Sequence, residues 1–210
     1  MQYAVIDIGS PRQGNLGWWI TGPSIEDGGT GPEDMIAKLT KAVQAGPVVL
    51  GFEAPMYVPA KRDIRATIQQ RPGEAGRPWS AGAGASVTAM ALALVPAIFD
   101  RLAFNVPGIT AWQDWARKPE KAGEILVFEA FVTTGVSNGH AEDAKLAAYA
   151  VRELLGQANT ESALGKEPCI SMLGAALLHA GMSDDIEELH RQCLVVKLSK
   201  TKNDPLNIKP

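Results

Sequence analysis

Asp7, Glu53, Glu129 and Asp143 are the side chains of this sequence best placed to do chemistry. Asp7 closes the apolar run Tyr3-Ala4-Val5-Ile6, Glu53 follows Val48-Val49-Leu50-Gly51-Phe52, and Glu129 follows Ile125-Leu126-Val127-Phe128. Each is therefore expected at the end of a strand. Asp143 lies near the start of an amphipathic helical stretch, and His140 stands three residues before it, so the two share a helix face. Acids on strand ends joined by one on a helix make an all-oxygen donor set, which suits hard Mg²⁺ or Mn²⁺. Two such ions about 3.5–4 Å apart activate a water and stabilise the leaving oxygen of an in-line displacement at phosphorus. The expected roles are Asp7 bridging the ions, Glu53 and Asp143 each holding one, and His140 ligating or handling a proton. Carboxylates this close repel one another without a cation, so the metal is part of the expectation.

Positioning these groups takes a sheet. The run ending at Asp7, the Gly/Ser/Pro/Asn break after it and the run Leu16-Gly17-Trp18-Trp19-Ile20 predict a hairpin-like strand pair. Gly28-Gly29-Thr30-Gly31 reads as loop. Pro32-Glu33-Asp34, with Ile36, Leu39 and Val43 at helical spacing, predicts a helix that Gly46-Pro47 stops. Residues 47–52 are apolar throughout, as expected of a strand inside a sheet covered on both faces. A right-handed helical crossover favours parallel pairing of this strand with the first, which brings Asp7 and Glu53 out at the same sheet edge.

Further along, residues 85–103 predict an Ala-rich helix kinked at Pro96. Trp112 and Trp115 fall in a short amphipathic turn, 125–129 is a strand, and 140–155 is a helix with Leu146, Ala147, Val151 and Leu155 on its apolar stripe. A polar loop at 157–167, an apolar helix at 168–181, a short acidic helix at 184–192 and an edge strand at 194–198 complete the chain. The expected fold class is α/β, a central mixed sheet flanked by helices. Residues 1–155 form its core, with a long inserted loop at about 54–84, and residues 156–210 form an additional α-helical C-terminal segment packed on the same domain. Structureless stretches longer than about 12–15 residues are usually functional or disordered, so the insertion is the expected mobile or substrate-facing part. Arg62, Arg65, Arg77 and Trp79 within it are the candidate substrate contacts.

Bulk properties narrow the setting. The 210 residues suffice for a real core, and only two cysteines, Cys169 and Cys193, are present, so a disulfide framework is not expected and a reducing cytoplasm is. No basic-then-apolar leader precedes Asp7, and the uncharged span 87–99 fits a buried helix better than a bilayer crossing, so no membrane partner is expected. A net charge of −3 argues against a general electrostatic grip on nucleic acid. The charge is uneven, however. Residues 61–77 carry five basic side chains against two acidic ones, and 197–210 carry four lysines against Asp204, local patches able to steer a phosphate.

The sequence resembles a known superfamily at several points in order. Ile6-Asp7-Ile8-Gly9-Ser10 with Gly14-Asn15-Leu16-Gly17-Trp18 is similar to the opening of ribonuclease H-like nucleases, particularly RuvC-type resolvases. His140-Ala141-Glu142-Asp143-Ala144, followed by Leu146-Ala147-Ala148, resembles their final helix. Glu53-Ala54-Pro55 and Arg62-Asp63-Ile64-Arg65 look closer still to an uncharacterised bacterial and archaeal family of predicted ribonuclease H-like nucleases. The resemblance implies a ribonuclease H-like fold and a Mg²⁺- or Mn²⁺-dependent nuclease acting on DNA or RNA. It also implies a fourth metal position filled by Glu129 or His140, since Glu129 resembles an acid that the family carries after its late strand. RuvC-type enzymes act as dimers, which carries a homodimer as an expectation.

Two rival readings stand beside it. One is an ATP-binding phosphotransferase of the actin and sugar-kinase type, which also begins with an Asp-x-Gly hairpin but resembles a duplicated version of this fold, whereas one such opening occurs here. The other is a non-catalytic binding module on the same scaffold. Other motifs have plainer accounts: Gly82-Ala83-Gly84-Ala85-Ser86 lacks the Lys-Ser/Thr ending of a phosphate loop, and Cys169, His179, His190 and Cys193 lack zinc-site spacing.

Overall fold

The computed structural model describes residues 1–74, 76, 78–132 and 139–198. Three strands open it: β1 (Gln2–Asp7), β2 (Gly17–Gly22) and β3 (Ile25–Gly29), each antiparallel to the one before. Helix α1 (Pro32–Ala45) carries Pro at its start and Glu33 and Asp34 in its first turn, where they complement the helix dipole. It crosses over to β4 (Val48–Glu53), which lies parallel to β1 with Asp7 opposite Glu53. A short strand β5 (Tyr57–Pro59) and the 24-residue helix α2 (Gly82–Asn105) lead to β6 (Thr110–Trp112) and β7 (Glu124–Val132). Helix α3 (His140–Leu155), β8 (Cys169–Ser171), α4 (Met172–His179) and β9 (Leu194–Leu198) follow.

The seven-stranded sheet runs β3-β2-β1-β4-β7-β6, and β9 shares the outer edge of β7 with β6. Beyond β1 every pairing is parallel. Both faces are covered, which is why β1, β4 and β7 read as unbroken apolar runs. On one face Ala4, Ile6, Leu50, Phe52, Ile125 and Val127 pack with residues of α1, α2 and α4. On the other, Val5, Val49, Leu126 and Phe128 pack with Ala144, Ala147, Ala148, Val151 and Leu155 of α3. The alanines keep α3 close to the sheet.

Several elements differ from the sequence expectation. Residues 28–29 belong to β3 rather than to a loop, because Gly28 lies opposite Trp19 and a Cβ there would stand 2.1 Å from the indole Cε3. Its glycine is a packing requirement and not a turn signal. Trp112 ends β6 instead of sitting in an amphipathic turn. Within the stretch 168–181 expected as one helix, Cys169–Ser171 form β8, paired with β5, before α4 begins, whereas the strand expected at 194–198 is present as β9 and joins the central sheet, with Leu194 opposite Phe128. The acidic stretch near 186 makes only a four-residue 3-10 turn. Helix α2 runs through Pro96 as expected, with ends at 82 and 105 in place of 85 and 103, and is long and apolar enough, by composition alone, to cross a membrane. It buries Thr88, Ala91, Val95, Ile98, Phe99 and Leu102 and leaves Leu92 and Phe104 exposed, so it is less enclosed than a core helix.

Gly17, the first residue of β2, decides how near α3 comes. A Cβ there would lie 2.2 Å from the carbonyl carbon of His140 and 2.5 Å from the backbone nitrogen of Ala141. Backbone cannot swing aside as a side chain can, so any larger residue lifts the start of α3 off the sheet. Gly17→Ala is expected to lower stability by about 1–3 kcal/mol, read as a reduced urea midpoint at unchanged slope. An unaltered midpoint would contradict this close approach.

Candidate metal centre

Three acids meet where β1 and β4 end. The parallel register sets Asp7 beside Glu53, and Asp143 reaches them from the first turn of α3. Each offers a carboxylate oxygen, and the three oxygens lie within 4.8 Å of one another. Asp7 is only 7% exposed, and Glu53 and Asp143 are half-buried. Alternation along each strand produces this convergence: Val5 and Val49 face α3, so Asp7 and Glu53, two and four residues further on, face it too. The helix start is held over the strand ends by the Gly17 contact.

His140 joins the group through Asp7. Its Nδ1 lies 2.5 Å from Asp7 Oδ2, which orients the ring and leaves Nε2 as the nitrogen not used by Asp7. Burial pushes the Asp7 carboxyl up to about 6 and the Asp143 charge adds to the rise, while the His140 hydrogen bond and charge oppose it. Asp7 is therefore a buried acid whose ionised form is under-compensated by the protein's own groups. A divalent cation among the three oxygens would supply the missing positive charge, and an all-carboxylate set matches the preference of Mg²⁺ and Mn²⁺. The residues fit such an ion.

Glu129 is not part of this group, and the expectation that it takes a metal is corrected. It lies opposite Phe52 rather than Glu53, one residue out of step, so its side chain faces away from α3. There it is fully buried and receives Arg71 in a two-pronged pair, Nη2 to Oε1 at 2.6 Å and Nη1 to Oε2 at 2.8 Å. Arg71 is 0% exposed, also bonds Glu74 through Nε at 2.8 Å, and lies over the Tyr57 ring at 4.5 Å. A permanent guanidinium occupies the place a cation would need.

The expected substrate contacts are spread differently. Arg62 and Arg65 are exposed, Arg62 just before and Arg65 within a 3-10 turn capped by Asp63. Trp79 is half-buried, its indole N–H donating to the Gln69 carbonyl at 3.2 Å and its backbone N–H to Glu74. Arg77 lies outside the described residues. The long insertion is joined to the core through Arg71 and Glu74. Cys169 and Cys193 are free and buried, and among the described residues the cysteines and His179 and His190 form no ligand cluster. A cavity of about 570 Å³ between β6 and residues 181–191, lined by Trp112, Arg117 and Glu188 among others, contains none of the three clustered acids.

Sequence reading missed Gly17 and Arg71 as determinants of this site. Gly17 carried a weak signal, a lone glycine at the head of a bulky strand. Arg71 carried none that set it apart from the other arginines of the insertion. Set against known proteins, the chain matches no family model, no curated protein and no solved structure.

The raised Asp7 carboxyl gives a signed pH dependence. Its folded-state value of about 6 lies above the ordinary value near 3.8, so ionised Asp7 destabilises the metal-free fold fully above about pH 6, and the penalty vanishes below about pH 4. Asp7→Asn removes the charge. In chelator, the variant should gain on wild type by on the order of 2–3 kcal/mol as pH rises from about 4 to about 7. Urea unfolding of both proteins across that range checks it; a constant difference would return Asp7 to its ordinary value.

Proposed function

We propose that this protein is a metal-dependent nuclease of the ribonuclease H-like kind, hydrolysing phosphodiester bonds in DNA or RNA with Mg²⁺ or Mn²⁺. The observation that carries the reading is the set of Asp7, Glu53 and Asp143 oxygens gathered within 4.8 Å at the ends of parallel strands. The order of elements supports it: three antiparallel strands, a parallel strand added beside the first, and a late helix returning an acid to the first strand. That order agrees with the resemblance of the sequence around Asp7 and His140.

Bound cations would activate a water and stabilise the leaving oxygen. The chain's own residues do the rest. Asp7, Glu53 and Asp143 concentrate negative charge in a poorly hydrated corner and so select a cation over a phosphate in its absence. His140, oriented by Asp7 through Nδ1, handles a proton at Nε2 on the partly exposed side of the site. Arg62 and Arg65 supply exposed positive charge on the same insertion that follows Glu53, suited to backbone phosphates of the nucleic-acid partner. The setting in this reading is the cytoplasm, without a membrane partner.

Two measurements test the proposal together. Mn²⁺ should raise the melting temperature of the wild type, by the equivalent of about 2.7 kcal/mol at a hundredfold excess over its Kd, and Asp7→Asn and Asp143→Asn should abolish the rise. Against a panel of DNA and RNA substrates, cleavage should require the ion, disappear in Asp7→Asn, and fall by about 10²–10⁴-fold in His140→Ala. A wild type indifferent to Mn²⁺ would overturn the metal reading. Tight Mn²⁺ binding with no cleavage of any substrate would leave a binding module.

A further inference from the structure

We infer that Glu129 is a positioning residue for the metal centre: from the opposite face of the sheet it holds, through the backbone of Met56, the turn that fixes the exit direction of Glu53. The inference rests on the reading of Asp7, Glu53 and Asp143 as cation ligands.

Glu53 is the last residue of β4. Its ladder with β1 extends to Asp7 opposite Glu53, but the ladder with β7 stops one pair earlier, at Phe52 opposite Glu129. Sheet pairing therefore secures Glu53 on one side, and the chain leaves at once through Ala54-Pro55 to Met56. Met56 is gripped at both ends. Its N–H donates to Glu129 Oε2 at 3.0 Å, and its carbonyl accepts from Met172 at 2.9 Å and Leu173 at 3.3 Å, where α4 begins. Only Ala54 and Pro55 separate this clamp from Glu53, so a shift of Met56 becomes a shift of the ligand.

The clamp is stiff because Glu129 cannot turn. Both its oxygens are held by Arg71, whose Nε and backbone N–H are held in turn by Glu74, and all three side chains are buried. Stability alone does not call for such a group, since a buried ion pair is often no better than apolar residues of similar volume. What an apolar residue at 129 lacks is an acceptor for the Met56 N–H at the end of a ligand-bearing strand. Partners that act one step behind a metal ligand commonly change metal affinity by 10–100-fold.

Length and charge at position 129 separate this role from others. Glu129→Gln keeps the reach and an oxygen acceptor for Met56 but loses the charge; Glu129→Asp keeps the charge but is one methylene too short to serve Arg71 and Met56 together. In the full-length protein, Mn²⁺ titration by calorimetry should give an affinity close to wild type for E129Q and about 10-fold weaker or worse for E129D, whatever the two variants lose in melting temperature. The reverse order would show that Glu129 acts by its field and overturns the inference, as would a folded E129D with wild-type affinity. If E129D does not melt cooperatively, the triple replacement R71M/E74Q/E129L removes the buried charges together and carries the same expected loss; wild-type affinity in that protein overturns the inference. Failure of the wild type itself to bind Mn²⁺ is a different result, which removes the metal reading and this role with it.

Discussion

The alignment of Asp7 with Glu53 across the β1–β4 ladder is the constraint on which the site depends. Parallel neighbours lie about 4.8 Å apart, so two carboxylates at matched positions on one face are forced together by main-chain hydrogen bonds and cannot separate without breaking the ladder. Asp143 then approaches from α3, which the glycine at position 17 and the alanine stripe allow to sit low on the sheet. A protein assembling three acids by chance at its surface would let them splay into water. Here the strand ends and the helix start hold them, and the burial of Asp7 keeps its carboxyl up near 6. Stability is sacrificed locally and the rest of the core, with its unbroken apolar strands and helices on both faces, sustains it.

Much of this arrangement was legible in the sequence, because it depends on period and order. The first hairpin, α1, β4, β7 and α3 announce themselves by apolar runs and helical spacing, and a helix between two apolar runs predicts parallel pairing. Asp7, Glu53, Asp143 and His140 follow from those elements. What was not legible depends on register. A strand end is known from sequence only to within a residue or two, yet one residue exchanges the faces of a sheet. Glu129 illustrates it: Ala130, not Glu129, follows in step with Glu53, so the acid that seems to complete the cluster points to the other side. β3 was lost for a related reason, since glycine chosen to admit the Trp19 indole reads as a turn. Short strands such as β5, β6 and β8 are three residues long and carry no period to detect.

The end of the sheet therefore bears two acidic centres back to back, and the contrast between them is instructive. One gathers carboxylates at the ends of β1 and β4, the other sets Glu129 within β7 beside Glu74 of the insertion, and both need positive charge to be tolerable in poorly solvated surroundings. On the α1–α2 face the charge is covalently part of the chain. Arg71 fills the space between Glu129 and Glu74 with a planar fork that satisfies both at once, and its stacking on Tyr57 fixes the plane. On the α3 face Asp7 is paired with His140, a single imidazole that carries charge only when protonated.

That difference separates the two groups of acids more sharply than burial does. Glu129 is more deeply buried than Asp7, and by burial alone it would be the stronger candidate for special chemistry. Its charge is already matched by a partner that cannot leave, so it offers nothing to a ligand. Asp7 is matched incompletely by an imidazole that carries charge only when protonated, and it lies beside two further acids. Under the proposed reading a divalent cation would complete such a site, adding to the partial compensation that His140 gives Asp7. The insertion links the two centres: its Arg71 closes the inner one, while the turn leading into it from Glu53 is the edge of the outer one. Anchoring the insertion and shaping the cluster are thus a single act of folding, performed by residues that the primary sequence scatters from Asp7 to Asp143.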